Sequence, residues 1–241
     1  MPFTIAEFFG VFRDYNISVW PMQIALMAAG IGCVVLLIRG GVYANRIVSL
    51  LLGLLWGWMA VAYHFAHFVS INPAAILFGS LFLCEALLLF WYGVRSERLR
   101  FALTRDARGI VGATMIAFAL VGYPLLGFAL GRRYPEAPTF GLPCPTTIFT
   151  LGFLLLAQPI VLERVLVIPF LWSLLGAFAA MRLGVTEDYS LLVAGVVTIA
   201  LVFWGGRSSL LARRTVKPPP ESLGMSAPLA DREGLGIDDT A

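Results

Sequence analysis

Long apolar runs separated by short polar breaks set the layout of this chain. A helix needs roughly 20 apolar residues to cross a hydrocarbon core about 30 Å thick, because lipid offers the backbone no hydrogen-bond partners. About seven runs meet or approach that length: 19–38, 47–69, 73–94, 110–130, 146–162, 165–181 and 189–204. Only Glu163 and Arg164 separate the fifth from the sixth, and Pro159 and Pro169 interrupt them, so a six-helix reading stays open there. The pattern predicts an all-α integral membrane protein, a bundle of about seven transmembrane helices.

Ahead of the first run, Ile5, Phe8, Phe9 and Phe12 recur at helical spacing. Thr4 followed by Glu7 matches the capping box that satisfies free amides at a helix start. A short amphipathic helix lying in the membrane interface is expected over 1–18, the transmembrane bundle over 19–205 and a disordered cytoplasmic tail over 206–241, where Lys217-Pro218-Pro219-Pro220 opens a polar stretch. Met1-Pro2-Phe3-Thr4 has neither the basic start nor the small-residue cleavage site of a secretory signal, so the first run is expected to be retained as a helix.

Composition sharpens the class. Of 241 residues, 59% are hydrophobic and 13% charged, against about 25% charged in a soluble domain. The net charge of +3 is too small and scattered to suggest a nucleic-acid partner; the expected partner is the lipid bilayer. The basic residues report orientation instead, since cytoplasmic loops carry the Lys/Arg excess. With the N-terminus outside, thirteen of the 17 Lys and Arg fall on the cytoplasmic side and four outside, Arg13, Arg132, Arg133 and Arg182. An N-out, C-in protein of the bacterial cytoplasmic (inner) membrane is expected. That layout also allows a 3+1+3 repeat of the parallel-repeat transporter kind, with Leu55-Trp56 matching Leu171-Trp172 and Gly79 matching Gly195.

Ionisable side chains inside a span are costly, so the few present are candidates for chemistry. Glu85 lies midway along the third run and is read either as a proton- or cation-coupling carboxylate or as a buried group bonded to a neighbouring helix. His64 and His67 are three apart and are expected to share a helix face. With Cys144 on the same side they form a candidate metal set of imidazole and thiolate ligands suited to copper or zinc, the alternative being two interfacial histidines among aromatics. No cofactor can be read from the sequence. Cys33, Cys84 and Cys144 have no disulfide or zinc-finger spacing.

Asn72-Pro73-Ala74 occurs once, whereas a water pore needs two copies, and it reads as a turn with Pro at a helix start. Gly53-Leu54-Leu55-Trp56-Gly57 reads as a helix-packing patch. The stretch Tyr134 to Thr147, with Pro143-Cys144-Pro145 at its end, reads as a stiff outer loop, a substrate-contacting lid or a structural cap. Nucleotide-loop, HExxH and GxSxG motifs are absent from the sequence, which weakens enzyme readings.

Asn16 with Trp20-Pro21, Ile71-Asn72-Pro73-Ala74-Ala75 and Thr139-Phe140-Gly141-Leu142-Pro143-Cys144-Pro145-Thr146-Thr147 resemble a bacterial family of multi-pass membrane proteins catalogued only as a domain of unknown function, over about residues 1–205. The resemblance implies membrane location and supplies no catalytic residues. From the residues themselves, three functions are expected to compete. The first is a small-molecule or metal-ion transporter or permease with a polar site at His64, His67, Glu85 and Cys144. The second is a non-transporting membrane interaction or scaffold protein, and the third an intramembrane enzyme using Cys144 and a histidine. Any site is expected in the outer half of the bundle, beneath Pro143-Cys144-Pro145.

Overall fold

The computed structural model describes residues 3–158 and 163–215; the expected tail lies, from residue 216 onward, outside the described residues. Helix α1 (Ile5–Ser18) leads into α2 (Met22–Arg39), α3 (Ala44–Trp58) and α4 (Ala75–Leu89). There follow α5 (Ala107–Ala117), α6 (Tyr123–Ala129), α7 (Pro143–Leu155), α8 (Glu163–Leu183) and α9 (Tyr189–Thr215). Wider π-helical turns extend α3 through Met59–Phe65 and α4 through Phe90–Arg95, and join α5 to α6 through Phe118–Gly122. Six helices among the described residues are long and apolar enough to cross a membrane: Met22–Arg39, Ala44–Ser70, Ala75–Arg95, Ala107–Ala129, Arg164–Leu183 and Thr186–Phe203. The chain is thus an all-α protein built of membrane-compatible helices.

The fifth apolar run departs from expectation. In place of a span over 146–162, the helix is α7, with 13 residues, about 20 Å at 1.5 Å per residue and short of a bilayer core. It occupies the centre, packed against α5, α8 and α9. Every α7 residue except Cys144 is buried, and Cys144 is half-buried. A helix sheathed by protein has no need to match the thickness of lipid, and its non-helical ends are tolerated at depth because protein satisfies them. At its C-terminal end the Ala102 amide donates to Leu156 O at 3.1 Å and Arg108 Nη2 to Leu155 O at 3.0 Å. Just beyond, strand β2 (Ala157–Gln158) pairs antiparallel with β1 (Arg100–Phe101). These bonds satisfy carbonyls that a helix end leaves orphaned.

Small residues let the helices approach. A Cβ on Gly152 of α7 would lie 2.8 Å from Gly112 O on α5, and one on Gly112 would lie 2.8 Å from Gly152 O. Between α3 and α4, a Gly53 Cβ would meet Ala86 O at 3.1 Å, as the packing reading of that patch anticipates. The Trp56 indole reaches from α3 to donate to Thr150 Oγ1 on α7 at 3.0 Å.

Helix α1 starts with the expected capping box: Glu7 N donates to Thr4 Oγ1 at 3.3 Å and Thr4 N to Glu7 Oε2 at 2.7 Å. Its apolar face does more than lie on a surface. Phe8, Phe12 and Tyr15 are buried in one cluster with Tyr63, Phe68 and Leu183, so α1 is docked against the bundle. Asn72 forms the expected turn, its Oδ1 accepting from Ala74 N at 3.1 Å just before α4 begins.

Candidate functional site

The site is built around the first turn of α7. Gly141 takes a positive φ of 99°, open to glycine at little steric cost, and its amide donates to Thr146 Oγ1 at 3.1 Å. Leu142 is extended and Pro143 occupies the first helical turn, where its missing N–H costs nothing. Pro143-Cys144-Pro145 is therefore the start of a helix and not part of a loop. Buried Asn16 of α1 holds the preceding segment in place. Its Nδ2 donates to Pro135 O at 2.6 Å and Ala137 O at 2.9 Å, and its Oδ1 accepts from Thr139 Oγ1 at 2.9 Å. Tyr134 OH in turn donates to Asn16 O at 3.2 Å.

Under this corner lies a cavity of about 170 Å³. Rings from α1, α3, α4 and α8 wall it, among them Phe8, Phe12, Tyr63, Phe78 and Trp172, and its polar side chains include Cys144 and Asp188. Asp188 ends the tight turn Thr186–Asp188 ahead of α9 and is 4% exposed. Tyr123 OH donates to Asp188 Oδ1, and the Cys144 thiol adjoins the same carboxyl. Next to it, fully buried Glu187 accepts from Arg132 Nε at 3.2 Å. The Arg132 guanidinium sits 4.1 Å from the centre of the Phe9 ring. Tyr123, Arg132 and Cys144, three residues from different segments, thus converge on one carboxyl pair.

The four residues singled out from the sequence do not gather into one site. Cys144 lines the cavity. His64 lies just behind its wall, fully buried, with ring centres of Phe82 at 4.6 Å, Tyr63 at 5.1 Å and Trp172 at 5.3 Å. Its nitrogens have no hydrogen-bond partner among the described residues. His67 turns elsewhere: Nδ1 donates to Ala62 O at 2.6 Å while Nε2 meets Ser18 Oγ at 2.8 Å. The expectation of a shared helix face fails because His64 lies within the π-helical turn Met59–Phe65 and His67 beyond its end. Glu85 is fully buried on α4, in the stripe that carries Gly79, Phe82 and Leu89, with both oxygens unpartnered among the described residues. Among those residues no three His, Cys, Asp or Glu side chains lie together as a metal ion requires. Neither histidine hydrogen-bonds Cys144, so the nucleophile–base pair of the enzyme reading is not formed.

Asp188, Glu187, Tyr123, Arg132 and Asn16 were not among the sequence candidates for a site. A signal existed for three of them. Glu187-Asp188 is an acidic pair directly ahead of an apolar run, and Arg132 falls in the other loop assigned to the same side. Tyr123 and Asn16 carry no such mark, since a lone Tyr or Asn beside an apolar stretch is common.

A family model described as a family of unknown function (DUF6064) matches residues 5–213, and the chain belongs to that family. Comparison with curated proteins and with solved structures gives no match.

Proposed function

We propose that this DUF6064 member is a small-molecule transporter or permease-like membrane protein whose binding site is the cavity beneath the first turn of α7. The observation that carries the reading is that cavity itself: about 170 Å³, aromatic-walled, with Cys144 and Asp188 as convergent polar groups. Mostly apolar clefts with a few placed polar groups are the usual form of small-molecule sites. An apolar cavity of about 150 Å³ holds a benzene ring, so the occupant is lipophilic and near the size of one aromatic ring. A protein serving only as a scaffold would gain by filling this space, because an unfilled void forfeits contacts.

The test is photo-labelling of the full chain in nanodiscs with a small aryl diazirine, followed by peptide mapping. Label in the Pro143–Pro145 and Trp172–Asp188 segments, competed by excess unlabelled analogue, is expected. Label confined to outward residues of other helices, such as Ile24 and Leu125, would refute the reading. Glu85 enters as the candidate coupling carboxylate, so Glu85→Gln should slow uptake into vesicles while leaving labelling intact; unchanged uptake removes it from the mechanism. A metal held by His64, His67 and Cys144 plays no part in this proposal, since both His67 nitrogens are engaged by protein.

We also read the chain as crossing a bacterial cytoplasmic membrane seven times, N-terminus outside, with α7 as a sheathed seventh crossing. The thirteen-to-four division of Lys and Arg supports this reading. So does the pairing of the end of α7 with the arginine-rich 95–108 segment through Arg108 and β1. Trypsin outside sealed right-side-out vesicles should cut at Arg132 or Arg133 and spare 95–108; the reverse pattern would refute the orientation.

A further inference from the structure

We infer that the occupant of the α7 cavity is a small lipophilic cation, such as a protonated aryl amine, held with its charge at Asp188. The inference rests on the binding site proposed above and names its ligand class.

The charges around the cavity do not balance among the described residues. Glu187 and Asp188 supply two carboxyl groups, and the one guanidinium paired there, that of Arg132, is bonded to Glu187 at 3.2 Å. With both acids ionised, two carboxylates against that one paired guanidinium leave one negative charge, on the group that lines the cavity; Arg182, another cation nearby, lies over the Phe178 ring at 5.8 Å and makes no ion pair with Asp188 among the described residues. No Lys or Arg lines the cavity, and none pairs with Asp188 among the described residues. The partners Asp188 does have are a phenol and a thiol, which steady a carboxylate without neutralising it.

Three classes of occupant can be compared against this arrangement. An anion would meet the buried carboxyl with no cation to separate them. A neutral hydrocarbon would fill the aromatic part but leave a carboxylate facing apolar surface, which is costly. A monocation completes the charge balance, and its body lies among Tyr63, Phe78 and Trp172, whose ring faces attract positive charge. The cavity's size restricts the body to about one ring with a short substituent.

The experiment uses the full chain in nanodiscs at neutral pH and three ligands of nearly one size: benzylamine as its ammonium ion, benzyl alcohol and benzoate. Dissociation constants are measured by titration calorimetry after subtracting partition into protein-free nanodiscs. The ammonium ion is expected to bind about tenfold or more tightly than the alcohol, the scale of a desolvated cation–π and ion-pair contact, with benzoate weakest. Asp188→Asn, which keeps an acceptor for Tyr123, should bring the ammonium ion down to the level of the alcohol. Equal binding of alcohol and ammonium ion by the unmodified protein overturns the cation inference and leaves the cavity reading standing. Retained preference in Asp188→Asn overturns it as well. Binding of none of the three overturns both. Should Asp188→Asn fail to fold, the ranking on the unmodified protein decides alone.

Discussion

Asn16 offers the sharpest check on how the site is held together. Replacing it with alanine removes three short side-chain hydrogen bonds, to Pro135 O, Ala137 O and Thr139 Oγ1, together with a marginal 3.5 Å contact from Gln23 Nε2 to Asn16 Oδ1, while the bonds that Gln23 and Tyr134 make to Asn16 O survive. At about 1 kcal/mol net for each bond, the loss is about 3 kcal/mol. For a domain of this size that lowers the unfolding midpoint by about 6–12 °C. Asn16→Asp separates the chemistry from the shape. The carboxylate keeps the acceptor for Thr139 but turns an oxygen toward two carbonyl oxygens at a fully buried position, so it should cost more than alanine despite its matching size. The assay is thermal unfolding in detergent followed by near-ultraviolet circular dichroism, with limited trypsinolysis at Arg132 and Arg133 reporting release of the segment. An Asp variant as stable as the Ala variant, or both within about 1 °C of the parent, would refute the assignment of Asn16 as the fastening point.

Two further outcomes are expected elsewhere in the fold. Gly152→Ala sets a Cβ 2.8 Å from Gly112 O and 3.1 Å from Ile116 N; backbone atoms cannot swing aside, so α5 and α7 must separate. A loss of about 1–3 kcal/mol follows, visible as a lower midpoint in the same melt, and an unchanged midpoint would contradict the close contact. The backbone and hydroxyl of Thr4 hold the Glu7 carboxyl below its ordinary value of 4.5. The sign follows from that: a lowered carboxyl stabilises α1 fully above pH 4.5 and less as the pH falls through its own lowered value. The protection of α1 amides, corrected for the intrinsic pH dependence of exchange, should therefore fall in acid, and Glu7→Gln, which has no carboxyl to titrate, should abolish that change; identical profiles for both proteins would count against the cap.

What the sequence discloses of this fold is what lipid dictates. Apolar length marks six helices because an exposed span must match the bilayer, and the Thr4–Glu7 box and the Asn72-Pro73 turn follow from local chemistry. Hydropathy does not distinguish a residue facing lipid from one facing protein, so the run reads as a lipid-length helix over 146–162 when α7 is shorter and sheathed by its neighbours. Thr146, Thr147 and Thr150, all buried within that run, were the available sign of a protein-facing helix. Pro143-Cys144-Pro145, singled out from the sequence, borders the cavity, whereas its carboxyl group, Asp188, was not a sequence candidate. Helical spacing alone put His64 beside His67, and the π-helical turn undid that geometry. Asp188 and Tyr123 meet across 65 positions of sequence, a pairing set by packing that no local pattern reveals.

The most direct measurement of the central claim is equilibrium binding of benzylamine to the full chain and to Ala179→Leu, whose added carbons project from a position lining the cavity. Saturable binding at one site per chain is predicted, reduced at least tenfold (about 1.4 kcal/mol) in Ala179→Leu while the fold is retained by circular dichroism. Binding that never saturates, or that Ala179→Leu leaves unchanged, would contradict the cavity as the site.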